Sequence, residues 1–263
     1  MPIRIVTNKS VGVQIKSSFK KNRIHYLQEA LGLAIFMISA CFFGALLEAQ
    51  HSSIHHSIPN DFLRTIFMGV LMGATALFIF YSRFTAPSGA QINPAVTLTF
   101  WRLGKMCPWD SLFFIIFQFI GGTIAVIVMR YLMGGLLTEP PVQSVVTVPG
   151  KFGIVPAIII EFLIAFITMM MVLFTSNDPK FKKYTRVIAA CMVCSWVIVA
   201  GPVSGFGMNP ARSFATAFSA NIWTSFWIYL FVPIAGMMSA AEFFLLFTKR
   251  VKNRNLLEKI AES

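Results

Sequence analysis

The sequence predicts an all-α membrane protein with six transmembrane helices and two shorter helices that enter the bilayer without crossing it. Three observations carry this. First, the 263-residue chain is 56% hydrophobic and only 12% charged, about half the charge usual in a soluble domain. Second, its apolar residues fall in runs of about 20, the length an α-helix needs to span a bilayer. A membrane β-barrel would instead show alternating segments of about 10 residues. Third, Asn-Pro-Ala occurs twice, at Asn93-Pro94-Ala95 and Asn209-Pro210-Ala211, each after a glycine-containing turn and before a short apolar run.

Residues 1–23 are rich in polar and basic side chains and read as a tail, with no cleavable signal peptide. The first span is 24–47. A short polar loop, 48–60, holds His51, His55 and His56. No carboxylate or cysteine accompanies them at ligand spacing, so they read as solvated loop residues rather than a metal site. The second span is 61–82 and the third is 110–133. An outer connection, 134–150, carries Pro140, Pro141 and Pro149. The fourth span, 152–175, is followed by a basic loop at 176–183 and a fifth span at 184–200. The sixth span, 223–248, leads into a basic tail at 249–263. Residues 24–248 form the membrane domain, with halves at about 24–133 and 152–248.

The two Asn-Pro-Ala runs sit between spans. Asn is a strong helix N-cap, and Pro suits the first helical position, where its missing N–H would be unpaired anyway. The helices they start, 95–103 and 211–220, are about 15 Å long at 1.5 Å per residue, half the roughly 30 Å of a bilayer core. The halves also repeat. Asn93 recurs as Asn209, 116 positions on; Gln118-x-x-Gly121 faces Pro233-x-x-Gly236, and Glu29 is echoed by Glu161. Three spans per half is an odd number, so the second half enters the membrane inverted, and such repeats place the functional site where the halves meet.

The net charge of +12 does not point to nucleic acid, because the cations lie along one side of the membrane. They cluster in the N-terminal segment, around the first half-helix (Arg83, Arg102, Lys105), in the loop Lys180, Lys182, Lys183, Arg186, and in the C-terminal tail. Of the 22 basic residues only Arg64, Arg130, Lys151 and Arg212 fall elsewhere. This is the positive-inside pattern, with both termini cytoplasmic in a cell membrane. Cys41, Cys107, Cys191 and Cys194 form no disulfide framework, and Cys191-x-x-Cys194 lies in an apolar run where small packing residues are expected. No nucleophile triad, phosphate loop or metal constellation stands out; the expectation is no enzyme, no cofactor and no metal.

Two Asn-Pro-Ala motifs in two three-span halves, the second followed by Arg212, make residues 24–248 resemble the aquaporin (major intrinsic protein) family. Ser88-Gly-Ala, Gly205-x-Gly207, Ala211-Arg-Ser213 and the paired glutamates add to the resemblance. It implies a passive channel for water, and for small neutral solutes such as glycerol, that excludes protons and ions, assembled as a homotetramer. Asn93, Pro94, Ala95, Asn209, Pro210 and Ala211 would form the mid-membrane gate, with the asparagine NH₂ groups turned to the lumen. Arg212 would lie at the outer constriction. By register, the other constriction positions are Phe206, Val197 in place of the histidine usual in strict water channels, and Gly73 by ungapped counting, or Met72 or a neighbour if the turn at 83–87 is one residue longer.

A small residue and Val there predict a wider, less polar constriction than that of a strict water channel. Ser213, Ala217 and Tyr229 lean toward water, and Phe206 toward glycerol. A channel mainly for glycerol or another uncharged solute, and a non-conducting structural or junctional protein, stay open as alternatives. Glu29 and Glu161 read as buried carboxylates that accept N–H bonds from the loops before each half-helix, rather than as a proton relay. Gly44, Gly121, Gly122 and Gly236 are expected at close helix contacts.

Overall fold

The computed structural model describes the backbone of residues 10–261 and the side chains of residues 10–249. Arg4, Lys9, and the side chains of the basic residues beyond Lys249 lie outside the described residues. The elements in order are α1 (Val11–Glu48), α2 (Ser53–Ser57), α3 (Asp61–Tyr81), α4 (Pro94–Arg102), α5 (Pro108–Met133), α6 (Gly135–Thr138), α7 (Ile154–Asn177), α8 (Thr185–Ser204), α9 (Pro210–Ala220) and α10 (Phe226–Ala261). Six of them, α1, α3, α5, α7, α8 and α10, are long and apolar enough to cross a membrane, so this is a multi-pass membrane protein. The helices α4 and α9 have 9 and 11 residues, about 14 and 17 Å, too short to cross.

Local chemistry sets several of the boundaries. The Asn60 side chain accepts Leu63 N–H and starts α3. Pro108 occupies the first turn of α5, where its missing N–H costs nothing. Gly205, at φ 76°, ends α8 in the left-handed conformation and returns its N–H to Gly201 O.

The packing is that of an inverted repeat. The most extensive contacts pair α1 with α5, α7 with α10, and α3 with α8. The first two pairs are equivalents in the two halves, and α3 and α8 are each other's equivalents across the pseudo-axis. Each half-helix docks on the other half's last span, α9 on α5 and α4 on α10. Glycine permits the two main crossings. A Cβ on Gly121 would lie 2.2 Å from Ala30 O, and one on Gly236 would lie 2.7 Å from Phe162 O. Gly44, expected at a helix contact, instead faces Val145 of the outer connection, where an added Cβ would lie 2.5 Å from the Val145 Cγ1.

The expected tails are helical where they are described. Residues 11–23 run into the first span without a break, and α10 continues past 248 to Ala261. No proline interrupts Val11–Glu48, and the contacts that seat residues 18, 22 and 26 come from α5, so a reading by composition alone treats the segment as a tail.

Gly121→Ala forces a methyl against the α1 backbone. It should lower the thermal transition of the detergent-solubilised protein by about 5 °C or more, the scale of one overpacked core position. Gly12→Ala meets nothing within 4 Å and should leave the transition in place; circular dichroism melting of the two variants checks this.

Candidate functional site

The N-termini of α4 and α9 meet in the interior. Asn93 Oδ1 accepts Ala95 N–H at 2.9 Å, and Asn209 Oδ1 accepts Ala211 N–H at 3.1 Å and Arg212 N–H at 3.2 Å. Each asparagine also reaches across to the opposite half. Asn93 Nδ2 donates to Met208 O at 2.9 Å, and Asn209 Nδ2 donates to Ile92 O at 2.7 Å. The NH₂ groups are therefore not simply turned to the lumen. An amide nitrogen carries two hydrogens, and in each asparagine one of them braces the two loops together. Pro94 and Pro210 occupy the first helical positions, and Ala95 and Ala211, fully buried, pack behind them.

The loops that deliver the asparagines are held by two carboxylates. Glu29 Oε1 accepts Ser88 Oγ at 2.6 Å and Gln91 N–H at 3.0 Å; its Oε2 accepts Ile92 N–H at 2.6 Å and Gln118 Nε2 at 2.9 Å. Glu161 Oε1 accepts Ser204 Oγ at 2.6 Å and Gly207 N–H at 2.7 Å, and its Oε2 accepts Met208 N–H at 2.6 Å. Ser88, Gln91 and Ile92 stand to Glu29 as Ser204, Gly207 and Met208 stand to Glu161. The loop conformation is costly. Ala90, Ile92, Phe206 and Met208 have φ of 48°, 44°, 52° and 47°, a region that side chains with a Cβ adopt at a cost of order 1–3 kcal/mol each.

Two cavities lie end to end along this site. The inner one, about 180 Å³, is lined by residues of both loops, by Asn93 and Asn209, and by Ala76, Phe80, Val193 and Thr168. The outer one, about 710 Å³, is lined by Met68, Met72, Val197, Gly201, Glu48, Arg64 and Lys151 among others. Phe36, Phe206 and Arg212 border both, so the junction lies at these three side chains. Arg212 is 9% exposed. Its Nη1 donates to Thr147 Oγ1 of the outer connection, which also bonds Ser213 Oγ at 3.2 Å, while its Nε has no partner.

The structure separates the register positions of the second span. Along the middle and far end of α3 the cavity-lining residues are Met68, Met72, Ala76 and Phe80, four apart, and a matching stripe on α8 is Ala189, Val193, Val197 and Gly201. Gly73 is not among them. One residue on from Met72, it is rotated by about 100° into the α3–α8 seam, where its Cβ would lie 2.8 Å from Cys194 Cβ. Gly69 contacts Cys194 and Ile198 in the same seam. Met72 takes the lumen position, and the width expected from a glycine at the constriction is absent on that side. Phe36 and Thr147 also belong to the site. The four-residue stripe of the neighbouring helices points to Phe36 only once the helix faces are known, and nothing local marks Thr147.

A model of the family described as Major intrinsic protein matches residues 15–244. The chain belongs to the major intrinsic protein family. Curated relatives include the probable aquaporin TIP4-1 of Oryza sativa subsp. japonica, 32% identical over 57% of this chain and 58% of that protein. Another is aquaporin TIP4-2 of Zea mays, 32% identical over 57% of each chain. The match thus spans a little over half the length of these relatives. Aquaporin NIP1-2 of Arabidopsis thaliana is 32% identical over 82% of this chain and 71% of that one. The fold is similar to the X-ray structure of the aquaglyceroporin from Plasmodium falciparum, with a TM-score of 0.71 at 18% identity, over 84% of this chain and 95% of that one.

In this member of the family, Glu161→Gln would set an amide N–H₂ against the N–H groups of loop 204–208 and leave a buried donor unpaired. The cost, about 1–3 kcal/mol, should lower the thermal transition by about 3–10 °C. Glu29→Gln should shift the transition in the same direction, because three of its four partners are the equivalents of those of Glu161 and the fourth is Gln118; matched melts of the two variants against the parent protein read both.

Proposed function

We propose that the protein is a passive membrane channel that conducts water, together with small neutral solutes such as glycerol, and excludes protons and ions. The observation that carries this reading is the meeting of the α4 and α9 N-termini beside two cavities that adjoin at Phe36, Phe206 and Arg212, each N-terminus capped by an asparagine with an amide hydrogen beyond the one used in the cross-loop bond. Each helix N-terminus contributes roughly half a positive charge. A single-file water between Asn93 and Asn209 has both lone pairs taken by donors and passes no proton along the file. A cation meets the same positive field with little hydration.

Met72, Val197, Phe206 and Arg212 serve as the filter. Arg212 supplies guanidinium hydrogen-bond donors to a passing solute and repels cations. The three apolar side chains offer surface to the C–H edge of a polyol, which favours glycerol as a co-substrate and supports, as a second reading, a channel mainly for such solutes. The relatives named aquaporins support the water reading. The one-sided basic residues support cytoplasmic termini in a cell membrane, and membership of the family supports a homotetramer with a pore in each subunit.

Stopped-flow light scattering on proteoliposomes tests the proposal. With sucrose as osmolyte, shrinkage should be well above that of empty liposomes; equal rates would remove the channel reading. With glycerol, re-swelling should follow; its absence would leave a channel for water alone. Arg212→Ala should keep the water flux and admit protons or cations in a pH-gradient assay. Unchanged exclusion would show that Arg212 is not the barrier to cations.

A further inference from the structure

The cytoplasmic extension of α1 has a structural feature that conduction does not use. Its inner face is fixed to the start of α5. Asp110 Oδ1 accepts Ser18 Oγ at 2.7 Å and Asn22 Nδ2 at 3.0 Å, and the Tyr26 hydroxyl lies 2.5 Å from the same oxygen. Phe19 packs edge-on against Phe113, with ring centroids 5.2 Å apart. The extension therefore continues the span as one rigid rod. Ser18, Asn22 and Tyr26, four residues apart, all face α5.

The face turned away from α5 carries Lys16, Lys20 and Arg23, at i, i+4 and i+7, all exposed. Among the described residues none of the three takes part in an ion pair, which are confined to Arg64 and Arg102. Below them the same stripe continues as Leu27, Leu31, Ile38 and Phe42, each exposed by 43% or more. From Arg23 back to Lys16 is about 10 Å of helix, somewhat more than the roughly 5–8 Å depth of a headgroup layer. The 38 residues of α1 make a rod of about 57 Å, so this end must reach into that layer.

We infer that Lys16, Lys20 and Arg23 form a built-in binding ledge for the headgroups of anionic phospholipids. The clamp at Asp110 presents the three cations together in one row, so headgroup phosphates meet a preformed array. Cations at this depth gain from a negatively charged leaflet, and the gain falls with ionic strength.

Native mass spectrometry of the full-length, detergent-solubilised protein tests this, titrated with phosphatidylglycerol or with phosphatidylcholine of the same chain length. The parent protein should bind phosphatidylglycerol at least about tenfold more tightly. The triple variant Lys16→Gln, Lys20→Gln, Arg23→Gln should lose most of that preference. A second triple, Lys180→Gln, Lys182→Gln, Lys183→Gln, removes the same charge from the loop before α8 and should keep it. Melting curves matched to the parent identify folded variants. Equal losses in the two triples, no preference in the parent, or displacement of the lipid by millimolar inorganic phosphate would each overturn the inference.

Discussion

Backbone that leaves regular structure inside a bilayer has no water to hydrogen-bond, so every N–H group in it must find a partner in the protein. Residues 88–92 and 204–208 are such backbone, and they are also bent into the left-handed region at four non-glycine positions. Glu29 and Glu161 meet both demands. Each spreads its two oxygens over adjacent N–H groups and a serine hydroxyl, and the charge-assisted bonds offset the strain of the loop. With these carboxylates in place the asparagines stand at a defined depth, and the cross-loop bonds from Asn93 to Met208 O and from Asn209 to Ile92 O join the two halves.

The scaffold is symmetric and the lumen is not. The position equivalent to Arg212 in the first half is Val96, and the one equivalent to Phe206 is Ala90; both line the inner cavity. The repeat supplies two half-helices of opposite direction, and a few substitutions on one copy supply the cation and the ring at the junction of the cavities. Thr147 ties this asymmetry to the outer connection. Its hydroxyl takes the Arg212 guanidinium on one side and Ser213 on the other, so a segment outside the repeat sets where the charge sits.

Much of the architecture was legible from residue order. Hydrophobic runs marked six spans because a bilayer imposes one length on every crossing helix. Asn followed by Pro marked the half-helices because capping is local chemistry. The pairing of Glu29 with Glu161 was visible because the repeat places them alike. Other features were not legible. The extension 11–23 reads as a tail by composition, yet Asp110, far along the chain, holds it as helix. Gly44 reads as a helix contact and meets an outer loop. Thr147 sits in a stretch without periodicity, so no pattern marks it.

The second span divides the two sources of information most clearly. The sequence by itself determined that α3 is an apolar helix of about 20 residues and that a lumen position falls near 72 or 73. It also determined the caps, the inverted repeat and the paired carboxylates, because each depends on neighbours in sequence or on a fixed repeat length. Only the tertiary structure decided that Met72 faces the lumen while Gly73 closes against Cys194. A shift of one residue turns a helix position by about 100°, and the face that meets the lumen is settled by how α3 packs on α8. That rotation is a property of the packed pair, and no spacing within either helix contains it.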